Sequence, residues 1–309
     1  MARLDKQQSA GTTVKRFLHV ARALYYEPWL IEAQMHDTLC RMFWQHVSGA
    51  AHEPGGIVES FSIGPKGAEG DRGSAGSRGP GSHTGTRTDI AVIPVHGVIG
   101  HRFSMMLNSS GVMSVDVLQG LVEQAAADEA TGGILLDIDS PGGTVAGVPE
   151  AGEAIRAAAE SKPVVAHGNG MMASAAYWLA SGATAIYATQ SSIVGSIGVY
   201  AAILDNSREM EMKGQRTELF TTGAFKAMGL PGTALTDEQR DHIQAGVDEV
   251  FGWFKSAVRK RRTVSDDAMQ GQTFHGPEAA AQGLIDRVGS FSDAMQELVD
   301  LIDGAEEAE

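Results

Sequence analysis

Cysteine is almost absent from this chain: Cys40 stands alone among 309 residues. A single thiol excludes an intrachain disulfide framework and a cysteine-built metal site, and it is compatible with a reducing compartment. Positive charge is the scarcer sign. Lys and Arg number 24 against 38 Asp and Glu, a formal charge of −14, so no nucleic-acid partner is expected. No secretory leader is expected either, because residues 17–27 are interrupted by charge and no small-residue cleavage site follows. Between Lys162 and Asp205 there is no Asp, Glu, Lys or Arg at all. Glycines, serines, Asn169 and Gln190 break that stretch, which reads as protein interior and not as a membrane span. The expectation is a soluble protein whose 43% hydrophobic content suffices for a sizeable core.

Four regions follow from composition. Residues 1–63 are read as a helical N-terminal segment, with Trp29, Leu30, Met35, Leu39, Met42 and Phe43 on one apolar face of a helical stretch over about 14–48. Pro28 suits the first turn of its second half. Residues 64–88 turn abruptly to Gly, Ser, Pro and charge, with glycine at every third position from Gly64 to Gly79. That run is too short and too poor in proline for a triple helix and is read as a flexible linker. The main domain occupies 89–302, and 303–309 form an acidic tail.

Within the main domain strands and helices alternate. Strands are expected at 90–95, 132–138, 163–167, 185–188, 197–203 and 217–220, with helices over 149–161, from near Ser174, and to about Lys213. Such a β–helix–β rhythm predicts an α/β fold with a mostly parallel sheet covered by helices. A long helix should open at Thr236, where Thr-Asp-Glu-Gln239 is a capping box and Ile243, Val247, Val250, Phe254 and Val258 follow helical spacing. Its basic end, Arg259-Lys-Arg-Arg262, reads as a solvated helix terminus. Residues 274–289 give strand, short helix, glycine cap and strand, and a last helix covers 292–301.

Two residues stand out chemically. Ser174 lies where a strand and a glycine-containing turn feed a helix, which would expose a hydroxyl beside free backbone N–H groups. A plain helix cap is the other reading of the same position. Lys226 sits among small, uncharged neighbours between Gly223 and Gly229, and an amine removed from water gives up its proton to become a base for a serine. No histidine is as well placed. His167 ends a strand, His242 lies on the amphipathic helix, and His96, His101 and His275 have no motif around them. Asp137 and Asp139 share a strand face and are read as structural.

Four motifs occur in order: Asp139-Ser-Pro-Gly142-Gly143, Met172-Ala-Ser174-Ala-Ala-Tyr177, Gly195-Ser196-Ile-Gly198-Val, and Gly223-Ala-Phe-Lys226. Together they closely resemble the signal peptide peptidase A family of serine peptidases, over about Ile90 to Leu301. The resemblance implies the ClpP/crotonase fold and makes 89–302 a serine peptidase catalytic domain. It implies Ser174 as nucleophile and Lys226 as its general base, with backbone N–H groups of Gly142 or Gly143 and of Ala175 as the oxyanion hole. Ser196 either orients the lysine amine or merely shapes its turn. No metal and no organic cofactor is implied.

The chain is most similar to the minor capsid protein C type of phage head-maturation proteases, partly through Glu27-Pro-Trp-Leu-Ile-Glu-Ala. That implies protein or peptide substrates such as capsid, portal or scaffold proteins, in the bacterial cytoplasm or a phage prohead. It also implies a homo-oligomer whose active sites lie between protomers. A peptide-clearing peptidase, a crotonase-type acyl-CoA enzyme and a catalytically silent capsid component are the other readings.

Overall fold

The computed structural model describes residues 29–31, 59–63, 88–101 and 112–306. Most of the expected N-terminal helix and of the 64–88 linker lie outside the described residues. The exceptions correct the expectation: within the segment 1–63 read as helical, Trp29–Ile31 form a strand, β1, and Glu59–Ile63 form another, while Thr88 at the end of the expected linker already belongs to a strand. The cause of β1 is a long-range backbone pairing, which local periodicity does not register.

The main sheet is mostly parallel. Its order begins at β2 (Glu59–Ile63) and runs through β3 (Thr88–His96), β6 (Thr131–Ser140) and β8 (Val164–Ala173). It continues through β10 (Ile193–Gly195) to β11 (Thr273–His275). Only the outer pairs, β2 with β3 and β10 with β11, are antiparallel. β8 serves two neighbours on one flank: its first half pairs with β9 (Ala185–Ala188), which in turn pairs with β12 (Arg287–Val288). Its last three residues pair with β10. The switch is made by a bulge, since Ile138 is opposite Gly168 but Ser140 is opposite Met172. Three residues of β8 therefore stand against Asp139 alone, which bends the strand. A second, smaller sheet has the order β1, β7 (Gly142–Thr144), β4 (Val98–Gly100), β5 (Val112–Ser114).

Period-two alternation divides the core between the faces of the main sheet. Ile93, Val95, Ile134, Leu136, Ile138, Val164 and Ala166 face α1 (Val115–Ala127), α2 (Val148–Ser161), α3 (Ala175–Ala180) and the end of α5 (Asp237–Arg259). The short α6 (Gly276–Ala281) follows β11 directly. Ile90, Val92, Leu135 and Val165 face α7 (Phe291–Glu306), which supplies Ala294, Leu298 and Ile302 at four-residue spacing. The expected acidic tail is thus helical as far as Glu306.

The capping box forms as expected. Thr236 Oγ1 accepts from the Gln239 N–H and Gln239 Oε1 accepts from the Thr236 N–H, each at 3.2 Å. Of α5, only Val250, Phe254 and Val258 are fully packed, and its first half runs out over the surface. The basic run at its end is more structural than expected. Arg259 pairs with Asp266 at 2.8 Å, Lys260 with Glu153 at 2.9 Å, and Arg262 is buried against Asp286 at 2.5 Å.

Two expected strands are absent. Residues 197–203 and 217–220 are irregular, flanking the short helix α4 (Ser207–Met212). Leu204, Met212 and Phe220 are largely exposed, the last at 91%. Ile197 joins the core from irregular backbone, whereas Leu219 and Phe220 of the second expected strand have little cover among the described residues. Among the described residues no helix is long and apolar enough to cross a membrane.

Candidate active site

Ser174 sits at the junction of β8 and α3, at φ 56 and ψ −120 and 1% exposed. Its N–H donates to Gly195 O at 2.8 Å, and its carbonyl accepts from Trp178 N–H at 2.9 Å. A conformation this unfavourable for a residue with a Cβ persists only where the surroundings enforce it. Here they do. Every residue of α3 is buried, Trp178 stacks on Phe254 with ring centroids 4.7 Å apart, and Tyr177 Oη donates to Leu284 O at 2.8 Å.

Backbone strain is concentrated at the expected site. Among the described residues, positive φ outside glycine occurs at Ser174, Ser196 and Ala227. Two of these are candidate residues, and the third follows Lys226. Ser196, at φ 51 and buried, donates its N–H to Gln272 O at 2.8 Å and is joined to the glycine whose carbonyl holds Ser174. The chain therefore brings Ser196 beside the backbone of Ser174, within a turn that it shapes.

The glycine turn follows β6 directly. Gly142 adopts φ 99 and its N–H donates to Ser140 Oγ at 3.2 Å, so that donor is already engaged. Gly143 cannot be another residue without backbone movement: a Cβ there would lie 1.7 Å from Ile99 O. Ala175 opens α3 immediately after Ser174.

Lys226 lies in an exposed turn, its N–H donating to Gly223 O at 3.2 Å, whereas Ser174 is buried. This turn rests on the outer half of α5, where Phe225 meets the ring of His242 at 4.7 Å and Gln239 Nε2 donates to Ala224 O at 2.8 Å. Among the described residues no hydrogen bond joins the amine to Ser174. The small, uncharged neighbours read from sequence as a dehydrating environment leave the amine in water in the single subunit.

Sequence reasoning missed the polar connections upstream. Asp139 Oδ1 accepts from Met171 N–H at 2.9 Å, across the bulge of β8. A Cβ on Gly170 (φ 118) would lie 2.5 Å from that oxygen, so the close approach requires glycine. Asp137 accepts from His96 Nε2 at 3.1 Å and lies 3.8 Å from Nδ1 of the fully buried His167, which also meets Phe291 edge-on. Partial burial pushes the Asp137 carboxyl up, but the rings of His167 and His96 outweigh it and hold it well below the ordinary range. The bond to Asp137 raises His96 despite its partial burial. The paired strand faces were legible in the sequence, but the histidine partners come from two other strands.

The model of peptidase family S49 matches residues 156–303. The Synechocystis sp. protein slr0021 is 31% identical over 217 residues, 69% of this chain and 74% of its own length. The chain belongs to peptidase family S49. Two phage members are also similar. The head-tail preconnector protein GP5 of Enterobacteria phage P21 is 32% identical over 281 residues, 90% of this chain and 56% of that protein. The capsid assembly protease C of Escherichia phage lambda is 33% identical over 217 residues, 69% of this chain and 49% of that protein. The chain thus spans about half the length of these phage members. Among solved structures, an enoyl-CoA hydratase/isomerase family member matches with a TM-score of 0.36 at 16% identity, over 71% of this chain and 72% of its own, too distant a likeness to carry an argument.

Proposed function

We propose that this S49 chain is a serine endopeptidase in which Ser174 attacks the peptide carbonyl and Lys226 of a neighbouring copy acts as the base. The observation that carries the reading is the enforced positive φ of Ser174 at a strand-to-helix junction. A plain cap needs no such strain, and no side-chain cap bond is made. The exposed Lys226 turn, set among exposed apolar side chains, supports completion of the site by a second copy. Docking would remove water from the amine and favour its neutral form.

In this scheme the neutral amine takes the Ser174 proton as the hydroxyl oxygen bonds to the carbonyl carbon. The N–H groups of Gly143 and Ala175 hold the oxyanion, since that of Gly142 is engaged by Ser140. The ammonium returns its proton to the departing amine. Water, deprotonated by the same lysine, then releases the acyl group. Ser196 Oγ accepts a hydrogen bond from the amine and fixes its direction. The phage relatives favour protein substrates of a capsid, portal or scaffold kind, cut within a prohead or the bacterial host, by a homo-oligomer. Ser174→Ala and Lys226→Ala should each abolish cleavage of fluorescein-labelled casein with the assembly intact. Full activity in either purified variant would refute the dyad.

A further inference from the structure

β1 lies along the strand that carries the glycine turn. It pairs antiparallel with β7, placing Trp29 opposite Thr144, Leu30 opposite Gly143 and Ile31 opposite Gly142. Among the described residues β1 is the terminal strand of the small sheet and the one that covers that flank of β7, whose other flank is taken by β4. α3, which begins just after Ser174, packs against β7. An uncovered flank of β7 would offer alternating N–H and C=O groups beside the nucleophile, the arrangement to which an extended peptide adds as a further strand.

We propose that the flank of β7 is the binding groove for the extended backbone of a substrate polypeptide, and that β1 occupies it in the resting chain as an internal competitor. The occupant is of the right chemical kind, an extended segment in antiparallel register with the glycine turn. Its described pairing with β7 spans three residues, so a longer extended segment offers more ladder bonds than the described part of β1 makes, and binding strength is set by the difference between the two strands. The proposal rests on the peptidase reading above, but its test does not require turnover.

The test is binding of fluorescein-labelled casein, followed by anisotropy, to the full-length Ser174→Ala chain with and without Leu30→Pro. Proline removes the N–H of the central β1 residue and disrupts its pairing with β7. The proposal expects Kd to fall by about tenfold in the doubly substituted chain. An unchanged or weaker Kd in a folded protein would overturn it and leave β1 as an ordinary sheet strand. A second arm covers misfolding of the proline variant: a synthetic peptide of residues 26–34 should displace casein from the Ser174→Ala chain, and no displacement at millimolar peptide would overturn the proposal. Hydrolysis by the unsubstituted chain is scored separately. Its absence would sink the peptidase reading without altering what the binding measurements say about β1.

Discussion

Replacing Ser174 by glycine and by alanine separates the strain at this position from its chemistry. Both substitutions remove the hydroxyl and both should abolish cleavage, but they differ in backbone freedom. At φ 56 and ψ −120 a residue with a Cβ carries about 1–3 kcal/mol of strain, which glycine releases. Against this stand about 0.5–1 kcal/mol for the greater freedom of glycine in the unfolded chain and about 0.8 kcal/mol for a lost buried methyl. The terms nearly cancel, so Ser174→Gly should be at least as stable as Ser174→Ala. Ala176, two residues on and equally buried in α3, provides the contrast. There Ala→Gly releases no strain and should cost about 2 kcal/mol, from about 1 in helix propensity and about 0.8 in the methyl. The two glycine substitutions should therefore differ by about 2 kcal/mol, or about 4–8 °C in Tm for a domain of this size. Urea titration of the four proteins measures it. A Ser174→Gly chain that is less stable than Ser174→Ala by as much as the Ala176→Gly cost would refute the claim that the fold forces this backbone.

Gly143→Ala should lower kcat by about 10²–10³-fold with little change in KM, since the new Cβ must push the turn away from Ile99 O and misplace the proposed oxyanion donor. The control is Gly246→Ala on the exposed half of α5, where a Cβ meets nothing within 4 Å; it should leave activity unchanged and raise stability by about 0.5–1 kcal/mol. Asp137→Asn should lower Tm in a pH-dependent way. The raised pKa of His96 contributes stability that is complete below its unfolded value, about 6.5, and is lost as pH rises through the folded one. The lowered pKa of Asp137 contributes above about pH 4 and is lost as pH falls. The Tm gap between parent and variant should peak near pH 5–6 and shrink toward pH 9. Scanning calorimetry across that range checks it, and a gap independent of pH would contradict the pairing.

The parts of the fold that were legible in the sequence are those set by local pattern. The Thr236–Gln239 capping box, the buried runs of β6 and β8 and the helix opening after Ser174 are all where residue spacing places them. α1 was overlooked although Val115, Leu118, Val122 and Ala125 carry the apolar face of a helix. β1 was misread because its pairing partner lies more than a hundred residues away. Residues 197–203 and 217–220 depart from expectation in two ways: Ile197 and Val199 join the core from irregular backbone, while Leu219 and Phe220 are exposed and match no layer among the described residues. The candidate site divides in the same way. Ser174, Ser196 and the glycine turn are held near one another by β6, β8 and β10, while Lys226 stands on an exposed turn that the motif order alone could not locate.

Complementation between two inactive chains tests the shared site most directly. Ser174→Ala and Lys226→Ala proteins, dissociated, mixed in equal amounts and reassembled, should regain about one quarter of the unsubstituted activity on casein, because about one interface in four then joins an intact serine to an intact lysine. No recovery in verified mixed assemblies would contradict a catalytic pair contributed by two copies of the chain.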